Sequence, residues 1–414
     1  MSLLLKNVLL EQSYAYENDC VTHTNTALFD LLIEDGYFTQ IAPSITELAD
    51  KVIDAQGQLL LPALRDMHIH LDKTYFSDTW QAPIKPTNGI LSRIEQERHL
   101  LIKQLPTMKA RAVKLIEHLI ANGHVHIRSH CNVDSTIGTQ HIEMLHDVLE
   151  SFTPHITYEL VAFPQHGLLH DDAVNLMKKA LQLGATHVGA LNPITVDQDL
   201  YRSLQKTVEL ALAYQKGIDL HLHDGGSLGL YELRVLCDIL EQYAFPYDVT
   251  ISHAFALADA SEAELRAIMA KLHQHRIAIT TTVPFHATRR TIPIPTLDDG
   301  GIAVYVGHDS LMDHWSPFGS GSTLQKLQQL AQCFGYNDEQ SIGQVLRYGT
   351  GHITPLSSDG TLIWPQVGQP ATAMLIDAVS SAHAIARICP ISTVLHNGHV
   401  TFEQHVDLQG AYRY

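Results

Sequence analysis

One segment organises this chain: Leu61-Pro-Ala-Leu-Arg-Asp-Met-His-Ile-His-Leu-Asp72. An apolar run from Leu59 to Leu64 ends at a polar cluster, in which His68 and His70 stand two residues apart. Residues two apart in a strand point to the same face of the sheet. Neutral imidazole is the commonest metal ligand in proteins. The segment predicts either a metal-binding strand end or a solvated strand end that carries two histidines, and the rest of the chain decides between them.

Composition limits the classes of function. The chain has 414 residues with 45% hydrophobic content, enough for one large domain plus a smaller one, or for two ordinary domains. Lys and Arg number 27 against 44 Asp and Glu, which gives a net charge of -17. Because binding to polymeric nucleic acid needs phosphate neutralisation, we expect no such partner. A small uncharged heterocycle is not excluded.

Cysteine usage and the apolar runs bear on localisation. The five cysteines are scattered and form no C-x-x-C pair, which is typical of reduced thiols in a cytoplasmic protein. We find no secretory signal pattern at the N-terminus and no apolar run long enough to span a bilayer, so we expect no membrane partner. Whether the chain forms a homo-oligomer stays open.

From residue 59 onward, short apolar runs alternate with helical segments. The predicted strands are Leu59–His68, His124–His130, Ile156–Gln165, His187–Leu191, Ile218–His223, Val249–His253, Ile277–Val283 and Ile302–His308. The predicted helices are Arg93–Ala121, Gln140–Phe152, Asp172–Leu183, Leu200–Lys216, Leu228–Tyr243, Ser261–His275 and Thr323–Phe334. About eight strand–helix repeats predict a (β/α)8 barrel of the TIM type. The alternative, a doubly wound open sheet, would carry a Gly-rich loop after its first strand, where this chain has His-Ile-His.

Both chain ends are rich in strand patterns. Leu3–Leu10, Ala27–Ile33, Tyr37–Ile41 and Lys51–Asp54 precede the barrel, and Thr361–Trp364, Ala371–Ile376 and Ser392–Leu395 follow it. Asn397-Gly398 is a strong signal for a two-residue hairpin turn. We predict a small β-sandwich domain from residues 1–60 and 357–414, and a metal-dependent hydrolase barrel from 61–356.

Polar groups stand where five of the barrel strands end. They are His68 and His70, Val161-Ala-Phe-Pro-Gln165, Leu220-His-Leu-His-Asp224, Ser252-His253 and Gly307-His-Asp-Ser310. Active sites of such barrels form at the carboxyl ends of the strands. Eight unrelated strand ends would rarely carry this set, so the metal-site interpretation is favoured.

These motifs, with the longer run Gly307 to Trp315, resemble the amidohydrolase superfamily and within it bacterial cytosine deaminases. The resemblance runs over essentially the whole chain. It implies one divalent metal ion, Zn2+ or Fe2+, with His68, His70, His221 and Asp309 as ligands. It also implies His253 as a polarising hydrogen-bond donor, Asp224 as the proton shuttle, Asp309 as proton acceptor, and Gln165 and Trp315 as substrate-binding residues.

Two-metal relatives commonly bridge their ions with a carboxylated Lys at the end of strand four. Here Val188 to Asn192 contains no Lys, so we expect a single metal. Lys73 follows the first strand, in the wrong place for such a bridge. We expect it to be a pocket-edge or structural cation without a catalytic role.

Two positions depart from the cytosine deaminase pattern. The shuttle is Asp224, one methylene shorter than the family's Glu, and Ser310 stands where the family has a second Asp beside the metal Asp. Ser310 is therefore expected to line the substrate pocket without adding charge. His223 shares a face with His221 by alternation and stays an alternative ligand, although the spacing of His221 to the acid matches the family.

Three hypotheses of function follow. The first is a hydrolytic deaminase of cytosine or a 5-substituted cytosine, which would release ammonia. The second is an aminohydrolase that removes an amine or alkylamine from an s-triazine, since His70-Leu-Asp-Lys-Thr74 also resembles such enzymes. The third, a non-catalytic scaffold, has no use for a complete ligand set.

Overall fold

The computed structural model describes residues 2–286 and 290–404 of the chain. Its strands are β1 (Ser2–Glu17), β2 (Cys20–Glu34), β3 (Tyr37–Ala42), β4 (Lys51–Asp54), β5 (Leu59–Pro62), β6 (Leu64–Ile69), β7 (His124–Asn132), β8 (Thr157–Phe163), β9 (His187–Leu191), β10 (Gly217–His221), β11 (Val249–Ser252), β12 (Ala278–Thr281), β13 (Val304–Val306), β14 (Ala373–Ile376), β15 (Ile391–His396) and β16 (His399–Glu403). The eight strands of the barrel are β6 through β13, and each pairs with the next one in sequence order.

The helices follow the barrel strands and cover them. They are α1 (Gly89–Gln104), α2 (Met108–Ala121), α3 (Gln140–Ser151), α4 (Ala173–Gln182), α5 (Leu200–Tyr214), α6 (Gly226–Gln242), α7 (Glu262–Gln274), α8 (Ile294–Asp299), α9 (Thr323–Cys333), α10 (Glu339–Gln344), α11 (Arg347–Thr350) and α12 (Ser381–Arg387). All residues of β7 and β9 are buried, as expected for parallel strands covered on both faces. The predicted (β/α)8 barrel is confirmed.

The barrel closes next to the predicted ligands. Ile69 forms a parallel bridge with Asp309, and the amide of His70 donates to the carbonyl oxygen of Asp309 at 3.1 Å. The amide of Asp309 in turn donates to the carbonyl oxygen of His68 at 2.7 Å. First and last strand are therefore joined by backbone bonds at the level of the site.

The small β domain from both chain ends is also confirmed. One sheet runs in the order β16-β15-β14-β5-β1-β2-β3, with β4 on β1, and it encloses its own apolar core. The predicted hairpin forms at Asn397 and Gly398, whose φ angles are 47° and 76°, as a type I′ turn needs. The proposed domain boundaries stay a prediction, and residues 405–414 of the proposed small domain lie outside the described residues.

Three predicted elements were wrong in extent or type. Leu59–His68 is two strands, because β5 pairs with β14 in the small sheet while β6 pairs with β7 in the barrel. The predicted helix 93–121 is broken at Leu105–Thr107 by a 3-10 turn, where Pro106 has no N–H to donate. Thr361–Trp364 is not a strand: only an isolated bridge forms there, and Trp364 packs edge-on against Phe38 in the small core.

No helix among the described residues is both long and apolar enough to cross a membrane.

Candidate metal centre and substrate pocket

Five side chains converge where the barrel strands end. They are His68 on β6, His70 just beyond it, His221 at the last position of β10, His253 directly after β11 and Asp309 three residues after β13. One donor atom from each of His68, His221, His253 and Asp309 lies within 4.8 Å of the others. Asp309 Oδ1 lies 3.3 Å from His68 Nε2 and 3.2 Å from His70 Nε2. Parallel strands whose carboxyl ends meet explain this convergence.

The imidazoles offer lone pairs without partners. His68 Nε2 and both ring nitrogens of His221 and His253 are buried and accept or donate no hydrogen bond in the described structure. Burial lowers the pKa of His70, and it holds the pKa values of His221 and His253 well below the ordinary value, so these rings are neutral. Unpaired buried polar atoms are costly. Neutral imidazoles beside a carboxylate therefore fit a divalent cation.

A buried chain of hydrogen bonds orients His68. Its Nδ1 lies 2.7 Å from Ser252 Oγ, and that hydroxyl donates to Asp219 Oδ1 at 2.7 Å. Asp219 also accepts from Arg128 Nη1 at 3.0 Å. A fixed Nδ1 leaves Nε2 of His68 to face the centre, which is the usual arrangement behind a metal-bound histidine.

Backbone strain is concentrated at the same place. His253 and Asp309 have φ angles of 73° and 60°, values that side chains other than glycine rarely adopt. A Cβ at Gly307 would lie 2.6 Å from His68 Cβ, so only glycine lets the last strand approach the first. Strain of this kind persists only where the surroundings over-determine it, and it is common at functional sites.

A cavity of about 430 Å³ opens onto these five side chains, which we call the donor cluster because their atoms could donate electron pairs to a metal ion. Its volume falls within the usual range for small-molecule sites. Its lining includes every residue that the sequence predicted for the pocket wall: Gln165, Asp224, Ser310 and Trp315. His70, His221, His253 and Asp309 line it as well. The structure therefore brings three of the four predicted ligands and the predicted pocket residues to one cavity, and His68 lies behind its lining.

Lys73 is in the wall of this cavity and not at its edge. It is 1% exposed, and its Nζ donates to Gln165 Oε1 at 3.0 Å and to Glu97 Oε1 at 3.2 Å. Burial opposes its charge, but the carboxylates of Glu97, Asp72 and Asp313 raise the pKa of Lys73 above the ordinary value. Lys73 is therefore a buried cation.

Asp224 is held at the opposite wall by Thr195. The Thr195 hydroxyl oxygen lies 2.7 Å from one carboxylate oxygen of Asp224 and 2.8 Å from the other. His223 follows the end of β10, where its amide donates to Asn192 Oδ1 at 2.8 Å and its ring stacks on that of His253 with the centroids 4.3 Å apart. Among the described residues, the group with donor atoms within 4.8 Å of one another that lines this cavity contains His221 and His253, and neither His223 nor His70.

Several residues of the site were not predicted from the sequence. Asn192 and Thr195 come from the loop after β9, and Glu97 comes from α1. His130 on β7 is fully buried with its ring 4.4 Å from that of His221. His130 could have been found, since it ends a predicted strand, but the loop and helix residues carry no local signal.

Comparison with known proteins agrees with this geometry. The profile of the amidohydrolase family matches residues 51–150. The uncharacterised protein YahJ of Escherichia coli (strain K12) is 36% identical over 403 residues, which cover 96% of this chain and 87% of YahJ.

Two solved structures resemble the whole chain. N-isopropylammelide isopropylaminohydrolase from Burkholderia multivorans ATCC 17616 superposes with a TM-score of 0.83 at 27% identity, covering 96% of this chain and 97% of that one. 5-Methylcytosine deaminase from Klebsiella pneumoniae, liganded with 5-fluorocytosine, gives a TM-score of 0.78 at 23% identity over 100% and 99% of the two chains. At that identity the second likeness concerns the fold alone.

Proposed function

This chain belongs to the amidohydrolase family and is a hydrolase that cleaves C–N bonds, and we propose that it removes an amine from a ring carbon of an oxo-substituted N-heterocycle. An s-triazine with oxo groups on two ring carbons and an amino or alkylamino group on the third is the substrate class that the pocket supports best. The contact between Lys73 and Gln165 carries this proposal.

The proposed cofactor is one divalent metal ion, Zn2+ or Fe2+, held by His68, His70, His221 and Asp309. When bound, such an ion activates water for attack at neutral pH. The unpartnered ring nitrogens of His68 and His221 support this ligand set. His253 is assigned the role of hydrogen-bond donor, although it lies close enough to Asp309, at 3.8 Å between Nε2 and Oδ2, to compete as a ligand.

The chain's own residues divide the proton transfers. Asp309 accepts a proton from the attacking water. Asp224, oriented by Thr195, protonates a ring nitrogen and regains a proton from the hydroxyl on the attacked carbon as the carbonyl forms, while the proton taken up by Asp309 passes to the departing amine. His253 donates a hydrogen bond to the oxygen that develops at the attacked carbon. Each group lines the cavity from a different strand end, so all three can reach one ring.

The hydrogen-bonding groups of Lys73 and Gln165 in the cavity wall determine which edge of a substrate ring can bind there. Lysine has donors only, so the oxygen of the Gln165 amide must face Lys73, and the amide nitrogen is left for the substrate. Lys73 and Gln165 together then present a cation and N–H donors. A ring edge rich in carbonyl oxygens, such as that of a dioxo-triazine, complements this wall.

The cavity also has room for an alkyl group on the departing amine. Its apolar lining comprises Ile90, Phe163, Leu191, Phe255 and Pro284, besides Trp315. Burial of an isopropyl-sized group against such surface stabilises binding by roughly 0.8 kcal/mol per methylene. Substrates with an alkylamino group are therefore expected to bind better than those with a free amino group.

Cytosine or a 5-substituted cytosine is the second candidate. Gln165 Oε1 has a second lone pair that can accept from a ring N–H. The uncharged Ser310 lines the same cavity and leaves room beside the ring. The fold likeness to the 5-methylcytosine deaminase is compatible with this candidate but does not argue for it.

A panel of substrates tests the proposal. Purified protein loaded with Zn2+ or Fe2+ is assayed for ammonia or alkylamine release from N-isopropylammelide, ammelide, cytosine, 5-methylcytosine and an aminopurine. Turnover of the oxo-triazines above all others is the expected result. Turnover of cytosines alone would move the second candidate ahead, and no release from any ring would contradict both.

The proposal also covers the location and the partners of the protein. All five cysteines are free thiols, which supports a cytoplasmic location. A small heterocycle is the expected partner, and neither polymeric nucleic acid nor a membrane surface suits the acidic chain. Size-exclusion chromatography with light scattering would establish whether a homo-oligomer forms.

A further inference from the structure

Glu232 on α6 is a fully buried acid beside the pocket that the proposed reaction does not use. It is 0% exposed. Its Oε1 accepts from the backbone N–H of Ile194 at 3.0 Å, in the same loop that supplies Thr195. Its Oε2 is buried and has no donor among the described residues. A carboxylate oxygen without a donor in such a place is strongly disfavoured.

The neighbouring group is another carboxyl, that of Asp224. Glu232 Oε1 accepts from the N–H of Ile194, and the hydroxyl of the next residue, Thr195, bonds to Asp224, so adjacent residues of one loop hold the two carboxyl groups. Two carboxyl groups can bond to each other only when one of them keeps a proton. Burial first, and then Asp224, raise the pKa of Glu232 to about 7.

Other charged groups near α6 are engaged elsewhere. Asp259 Oδ2 accepts from the amide of Gly226 at 3.0 Å, and Lys271 pairs with Asp238 at 2.7 Å on the outer face of the helix. Tyr201 on α5 contacts α6 through the hydroxyl of Tyr231. Asp224 is thus the charged group that acts on Glu232 within the described part of the chain.

We propose that Glu232 and Asp224 form a carboxylic acid pair that shares one proton, in which Glu232 is a positioning residue for the Asp224 carboxyl. Thr195 fixes that carboxyl from one side, and Glu232 fixes it from the helix side. The pair keeps a proton next to the pocket, so the short Asp side chain is oriented and supplied with a proton that water need not deliver. This role rests on the proposed function of Asp224 as shuttle, but the existence of the pair does not.

The first test needs no substrate. Glu232→Gln keeps the acceptor for Ile194 and offers Asp224 a permanent N–H donor. The pKa of Glu232 is raised from its ordinary value of 4.5 to about 7 in the folded protein. The protonated form of Glu232 therefore stabilises the wild type fully below pH 4.5, and this stabilisation is lost as the pH rises to about 7. The melting temperature of Glu232→Gln minus that of the wild type should therefore rise between these pH values and stay constant above them.

The Asp224→Asn background isolates the pair. With the charge of Asp224 removed, the pKa of Glu232 should fall, and the pH-dependent gain from Glu232→Gln should shrink. Glu241→Gln, an exposed acid on the same helix, is the matched control and should show no such gain in either background. An equal gain from Glu232→Gln in both backgrounds would show that the two carboxyls are not coupled, and the proposal would be overturned.

Activity separates positioning from simple support of the fold. With N-isopropylammelide and cytosine as probes, Glu232→Ala should lower kcat by less than the ~10²–10⁴-fold expected for loss of Asp224 itself, with KM little changed. Glu232→Gln should restore most of that loss and remove the alkaline decline that ionised Glu232 causes near pH 7. A pH profile of Glu232→Gln identical to that of the wild type would contradict the positioning role. Full turnover by Asp224→Asn would instead refute the proposed shuttle and leave the pair intact.

Discussion

The donor cluster and the pocket wall occupy one cavity but are built differently. His68 and His221 lie on strands, His70 and His253 directly follow one, and Asp309 is bridged to Ile69 of the first barrel strand. Lys73, Asp224 and Ser310 stand in loops beyond the strands, and Lys73 and Asp224 bond to Glu97 and Thr195, which are distant along the chain. The cluster is fixed by the barrel itself, whereas the wall is fixed by side-chain contacts such as that between Lys73 and Glu97. Chemistry in this fold is therefore set by the scaffold and substrate choice by its loops.

Removing a proposed metal ligand should have the largest effect on turnover. His70→Ala takes away a ring nitrogen 3.2 Å from Asp309 Oδ1, and we expect loss of the metal and of all measurable turnover. Metal content by mass spectrometry and amine release are the measurements. His155→Ala, at an exposed position, is the control and should change neither. Full metal occupancy with normal turnover in His70→Ala would exclude it as a ligand.

Variants of the residues proposed to transfer or polarise protons should show the next largest loss of rate. Asp224→Asn should lose ~10²–10⁴ in rate, because a positioned acid typically contributes that much. It should retain the metal, since Asp224 is not a proposed ligand. His253→Asn should behave similarly; if it loses the metal instead, His253 belongs to the ligand set. Wild-type turnover in Asp224→Asn would mean that the shuttle lies elsewhere.

A smaller loss of kcat/KM is expected when the buried cation Lys73 is removed from the cavity wall. Lys73→Met with Glu97→Gln removes the cation without leaving Glu97 charged and buried. We expect kcat/KM for N-isopropylammelide to fall by about a hundredfold, since a hydrogen bond to a charged group is worth roughly 1.5–3 kcal/mol. Cytosine should be affected less. Glu97→Gln alone is the control, and equal losses for both substrates would show that Lys73 does not select the ring edge.

Ser310 should show the smallest effect. An Asp at this position would place charge beside the ring carbon next to the departing amine. We expect Ser310→Asp to lower the ratio of kcat/KM for 5-methylcytosine to that for cytosine, by no more than the ~1–3 kcal/mol that one methyl-sized group is worth. Ser316→Asp, farther along the pocket lining, is the comparison variant. An unchanged or higher ratio would mean that Ser310 does not gate the ring substituent.

Local sequence periodicity was sufficient to predict the scaffold, that is, the barrel and the small β domain. The eight strands, the covering helices and the small β domain could be predicted because each strand is a short apolar run and each helix has its own repeat. The ligand candidates followed, since position at a strand end is itself a local property. The split at Ala63 escaped prediction because one continuous apolar run serves two sheets, and only strand pairing reveals the boundary.

Contacts between distant segments decided the rest. Alternation alone left both His221 and His223 as candidate ligands, and only the structure shows that β10 ends at His221 and that the amide of His223 bonds to Asn192. Glu232 lies eight residues past Asp224 on a helix, a spacing that carries no signal of its own. The sequence by itself determined the barrel and its small domain, and it supplied the candidate metal ligands, because strand and helix periods and strand ends are local features. Only the tertiary structure decided which cation and which acids lie at the cavity, because side-chain direction in loops depends on partners that the sequence does not place.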